Sequence, residues 1–185
     1  MTPSLRIPAL LLCGLLAACG PDKTASLPAP HEPGPGDMGT ICHMALDEHI
    51  GPKGQVFLKG QDSAEQQPLW FSSIRDTFTW LLMDDGLSQT VSAVWVNDMG
   101  RSTDWDHPPK GAWVEAHQAL YVINSDKSTS MGAGTSSPSE IVPFADRTAA
   151  ETFARLHGGK VVTFKEIDRP LLEGQTALQG GHQHG

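Results

Sequence analysis

Apolar and polar positions along the chain run through the same sequence of periods twice. Residues 55–58 (Gln-Val-Phe-Leu) and 68–71 (Pro-Leu-Trp-Phe) are short β-type runs on either side of a polar loop. Ile74, Phe78, Leu81 and Leu82 then fall at i, i+4, i+7 and i+8, the stripe of one helical face, with Ser73 placed as N-cap and Asp76 at N3. This predicts a helix ending before Gly86. A β-rich run over 91–96 follows and is closed by the turn Asn97-Asp98-Met99-Gly100. In the second passage, 119–123 and 141–144 read as strands separated by a long Ser/Gly/Thr loop. Thr148 and Glu151 have capping-box spacing, Phe153 and Leu156 supply the apolar face of a second helix, and Gly158-Gly159 stops it before a strand over 160–164. The repeated order predicts an α+β fold, two ββαβ units in one compact domain.

The ends of the chain follow other rules. The apolar run over 7–18, interrupted by Pro8 and Gly14, falls short of the roughly 20 residues that span a bilayer as a helix. With Arg6 before it and Leu16-Ala17-Ala18-Cys19 after it, the run reads as a signal peptide over 1–18 that ends in a lipobox. A plain secretory signal is the alternative, but it leaves a cysteine at the position where lipidation needs one. The mature chain is therefore expected to start at an acylated Cys19, to hold to a membrane by lipid, and to lack a transmembrane helix. Residues 19–37, rich in Pro and Ala, read as a semi-rigid tether. The folded domain is expected over 38–173, with halves 38–110 and 111–173. The polar, glycine-rich end over 174–185 reads as a disordered tail.

Charge narrows the partners. The chain carries 13 Lys+Arg against 21 Asp+Glu, a formal −8, and no long basic run, so it lacks the clustered cations that nucleic-acid binding requires.

Of the three cysteines, Cys13 leaves with the signal peptide and Cys19 takes the lipid, so Cys42 is the one free thiol. An unpaired thiol in an oxidising compartment is open to oxidation and mixed disulfides. Soft sulfur donors select Cu(I), and Cys42-His43-Met44 offers a thiol and a thioether. If the stretch is extended, Cys42 and Met44 project to one face and His43 to the other. Among the other methionines, Met131 lies in a Ser/Gly loop without apolar neighbours and is the best third ligand. Met99, directly after a strand, is a ligand candidate for which packing has the edge. Met83 reads as core and Met38 as an idle residue of the tether. His49 reads as a solvated loop residue, and His182 and His184 as adventitious metal binders in the tail.

These residues together resemble the NosL family of copper-binding lipoproteins. The resemblance covers the lipobox, Cys42-x-Met44, Gly51-Pro52-Lys53-Gly54-Gln55, Trp70-Phe71-Ser72-Ser73, Val96-Asn97-Asp98-Met99-Gly100-Arg101, Met131-Gly132-Ala133, and Val142-Pro143-Phe144 through Gly158-Gly159. His43 departs from it, since many members carry Gly between the Cys and the Met. The resemblance implies a non-enzymatic Cu(I) metallochaperone with two ββαβ halves, serving nitrous oxide reductase through a periplasmic and ABC-transporter maturation complex. It implies a periplasmic location on a lipid anchor, and Gly20 after Cys19 resembles lipoproteins sorted to the outer membrane. The competing classes lack parts. Thioredoxin-like activity needs a second thiol, and a blue-copper electron carrier normally has Cys, one His and Met close together late in the domain. A Cys/His hydrolase with His117 or His157 as base has no oxyanion-forming loop after the thiol.

Overall fold

In the first half, β1 (Gly54–Leu58), β2 (Leu69–Phe71), α1 (Ile74–Leu81) and β3 (Val91–Asn97) follow one another, and β1 lies antiparallel between β2 and β3. The second half repeats this with β5 (Leu120–Ile123) between β6 (Val142–Phe144) and β7 (Lys160–Thr163), α2 (Arg147–His157) joining the last two. Each half is a ββαβ unit whose first strand is central and whose pairings are all antiparallel. The computed structural model describes residues 27–60, 67–83, 90–129 and 139–173. The leader, Cys19, Met131 and the tail lie outside the described residues.

One element is additional. β4 (Trp113–Glu115) adds to the free edge of β3, pairing Trp95 with Glu115 and Asn97 with Trp113. The first sheet therefore continues past the division expected at residue 110.

Side-chain alternation builds two cores. Tyr121 and Ile123 of β5 join Val56, Phe71, Ile74, Phe78, Val94 and Val96 in the main core, drawn from both sheets. Val122 points the other way, into a smaller core with Met99, Val142, Phe144 and Ala150, which Phe153 of α2 flanks. Burial of each large side chain such as Phe71 or Phe78 contributes about 1.5–3 kcal/mol.

α1 begins as its sequence predicts: Ser73 Oγ accepts from the backbone N–H of Asp76 at 3.0 Å. α2 does not. Its N-cap is Asp146, which accepts from Ala149 N at 2.9 Å, so Thr148 lies inside the helix instead of capping it. Leu156, expected on the apolar face, is 70% exposed, and Met83, expected in the core, is 60% exposed. The strand over 160–164 stops one residue early, because Phe164 opens a 3-10 turn.

The expected tether is docked through its second part. Gln55 uses both ends of its amide on the backbone of His31, accepting from N–H at 2.8 Å and donating to C=O at 3.0 Å. Glu32 Oε1 accepts from Gly111 N and Trp113 Nε1, and Trp95 Nε1 donates to the Pro28 carbonyl. Residues 27–37 thus belong to the folded unit, a tertiary attachment that a Pro-rich composition does not reveal.

Candidate metal centre

Cys42 sits on a loop whose shape is set by backbone bonds. Met38 and Ala45 form an antiparallel bridge, Gly39 N donates to Met44 O at 2.9 Å, and His43 N donates to Gly39 O at 2.9 Å. Thr40 N donates to Trp70 O at 2.7 Å, pinning the loop to β2. Cys42-His43-Met44 is consequently a turn and not the extended stretch considered from sequence. His43 takes φ +54°, the left-handed region that favours glycine, which explains why Gly suits the middle of this motif. Gly39 is required for another reason: a Cβ there would collide with Cys42 Sγ.

Two side chains meet the thiol. Cys42 Sγ lies 3.4 Å from Ser72 Oγ and 3.6 Å from His49 Nε2. Ser72 directly precedes the N-cap of α1, so the thiol rests at the start of that helix. Asp76, in the first turn, faces the same group. Burial raises its carboxyl above the usual range, while the hydroxyls of Ser73 and Ser72 and the charge of His49 pull it down. His49 thus meets the thiol and lies near enough to Asp76 to act on its carboxyl, whereas the sequence reads it as a solvated loop residue.

Lys53 fixes His49 from behind. Its buried Nζ donates to the carbonyls of His49 at 2.8 Å and Gly51 at 3.1 Å, and its backbone N–H donates to Asn97 Oδ1 at 2.8 Å. Burial lowers the pKa of its ammonium. Gly51, Lys53, Gly54 and Gln55 of the motif over 51–55 therefore have structural work. Gly51 takes φ +81° with no room for a Cβ beside Thr129, and Gly54 lies against Thr77. A cleft of about 410 Å³ opens beside His49 and Lys53, bounded by Pro33, Asp106, His107 and Trp113.

The separation of thiol and imidazole suits a shared metal ion. With thiolate and imidazole distances of about 2.3 and 2.0 Å, and angles of about 110–120°, the two donors stand about 3.5–3.8 Å apart. The observed 3.6 Å falls within that range. Met44 is half-buried on the same loop. Among the described residues no three His, Cys, Asp or Glu side chains cluster in metal-binding geometry. Met99 is packed in the second core at 7% exposure, as its position after β3 favours. Met131 lies outside the described residues, as do His182 and His184. His117 Nδ1 pairs with Glu115 at 2.7 Å and His157 Nδ1 with Asp126 at 3.0 Å, and the imidazole at the thiol belongs to neither.

Residues 30–172 match the family model NosL. The chain is 36% identical over 159 residues to the copper-binding lipoprotein NosL of Achromobacter cycloclastes, covering 85% of this chain and 77% of that protein. It is 32% identical over 144 residues to the copper-binding lipoprotein NosL of Stutzerimonas stutzeri, covering 78% and 68% respectively. The crystal structure of the copper chaperone NosL from Shewanella denitrificans superposes with a TM-score of 0.65 at 29% identity, covering 77% of this chain and 97% of that one. Sequence and fold agree, and the chain belongs to the NosL family.

Proposed function

We propose that this protein is a periplasmic Cu(I) chaperone, without enzymatic activity, that supplies copper for the maturation of nitrous oxide reductase through a periplasmic and ABC-transporter complex. Lipid on Cys19 holds it to a membrane, on the periplasmic face of the outer membrane. The observation that carries this reading is the thiol–imidazole pair of Cys42 and His49 at 3.6 Å, on a loop that also presents Met44. Copper is the cargo. Cys42 binds it as thiolate, Met44 and His49 are further ligands, and Met131 is the exchangeable fourth one.

The donor chemistry explains the choice of oxidation state. A thiolate with thioethers favours Cu(I) over the harder Cu(II), and Cu(I) accepts low coordination numbers. The names of the relatives, copper-binding lipoproteins and a copper chaperone, support copper as the metal. Delivery is tested by loading the protein with Cu(I) anaerobically and mixing it with copper-free nitrous oxide reductase. Copper should move to the reductase from the wild type. Retention of all the copper by the wild type would overturn the delivery role.

A further inference from the structure

Glu140 is fully buried, and its carboxylate joins parts of the fold that are distant in sequence. Oε1 accepts from the backbone N–H of Arg75, in the first turn of α1, at 3.0 Å and from its own neighbour Ile141 at 2.7 Å. Oε2 accepts from Thr129 Oγ1 at 2.9 Å. Thr129 in turn packs its methyl against Gly51, midway between His49 and Lys53. Glu140 N donates to Lys127 O at 2.7 Å, so the segments on both sides of residues 130–138 are tied together at this carboxylate.

We infer that Glu140 is a positioning residue for the copper centre, linking the α1 turn that carries Ser72 and Asp76 to the Thr129–Gly51 contact that backs His49. This rests on the copper reading above. Copper itself is not touched by Glu140, which acts through the two segments whose side chains meet Cys42 Sγ.

The carboxylate form is the one suited to this task. Its two oxygens accept three hydrogen bonds, and Oε1 is already committed to two backbone donors. A proton must therefore sit on Oε2, where it reverses the direction of the bond to Thr129. Arg75 is the cation facing Glu140, with Asp76 beside it. Lys127 turns its ammonium over the Trp105 ring, 5.5 Å from the centroid. Burial, which outweighs the bonds from Ile141, Thr129 and Arg75 and the attraction of Arg75, raises the pKa of Glu140 to about 7. The bond therefore changes character within the range in which such a protein works.

The test is Cu(I) affinity of the purified mature protein, measured anaerobically against a competing chelator from pH 5.5 to 8, for wild type, Glu140→Gln and Thr129→Val. Wild type should show, beyond the slope from the thiol proton, a further rise in affinity centred near neutral pH. Glu140→Gln preserves the shape of the bridge but cannot ionise, so it should lose that rise and keep the thiol slope. Thr129→Val removes the bond that the proton reverses, so it should weaken binding by about tenfold, the scale of lost support behind a metal ligand, and flatten the rise as well. Circular dichroism of each apo variant establishes that it is folded. If both folded variants keep the wild-type affinity and pH profile, Glu140 is structural only and the inference fails. If the wild type binds no Cu(I), the failure lies in the copper reading itself and removes this one with it.

Discussion

His49 Nε2 stands 3.6 Å from Cys42 Sγ because Lys53 Nζ grips the His49 carbonyl from the buried side at 2.8 Å. The backbone at His49 cannot swing away without breaking a bond to a buried ammonium, and the imidazole is carried on that anchored backbone. His49→Ala should therefore weaken Cu(I) binding by about tenfold or more, at least about 1.4 kcal/mol, and leave the apo fold intact. Competition with a chromophoric Cu(I) chelator, read beside apo circular dichroism, checks it. His43→Ala, which alters an exposed ring, should have a smaller effect.

Met99 and Met131 should separate cleanly. Met99 fills the second core with Val122, Val142 and Phe144, so Met99→Ala should cost about 2–5 kcal/mol of apo stability. Its rate of copper loss to a chelator should match wild type. Met131→Ala should do the reverse, speeding copper loss with the apo melting temperature unchanged. Thermal melts and stopped-flow transfer of the two variants decide between the assignments.

Much of the fold was legible in the chain, for reasons that are local. Ser73 caps α1 because a serine before a 3.6-period stripe satisfies an orphan N–H, and Tyr121 and Ile123 share a face because strands alternate. Other features depended on partners remote in sequence. Trp113–Glu115 is too short to display alternation and follows Pro108-Pro109-Lys110-Gly111, so its pairing with β3 left no pattern. Asp146 displaced Thr148 as a cap because a carboxylate two residues earlier already reaches Ala149 N. At the candidate site, Cys42 and Met44 were visible as soft donors. The position of His49 was not, since the bonds from Lys53 that orient its segment belong to the folded chain. The nearest signal was the Gly51-Pro52-Lys53-Gly54-Gln55 run, whose lysine and glycines all turn out to shape that segment.

The pH dependence of stability should carry the mark of Glu140. Its pKa is raised from 4.5 to about 7 in the fold, so the native state holds a proton that the unfolded state has already released. Stability from this group is full below about pH 4.5 and is lost as pH rises toward 7, by about 3 kcal/mol. Glu140→Gln, permanently neutral, should melt higher than wild type at pH 8 and about equally at pH 5. A matching decline of stability with pH in the variant would assign the effect to another group.

Lipid attachment predicts a change of compartment fraction. Cys19→Ser should appear in the soluble periplasmic fraction, whereas the wild type should sediment with membranes and incorporate labelled fatty acid. Membrane sedimentation of Cys19→Ser together with an unlabelled wild type would exclude the anchor.

The central claim is that Cys42 is the obligatory ligand of a Cu(I) cargo site. Anaerobic titration of the mature protein with Cu(I), against a competing chelator, tests it most directly. The account predicts one tightly held Cu(I) per wild-type chain, with proton release and weaker binding as pH falls, because the thiol binds as thiolate. It predicts no tight binding by Cys42→Ser. Full affinity in Cys42→Ser would contradict it.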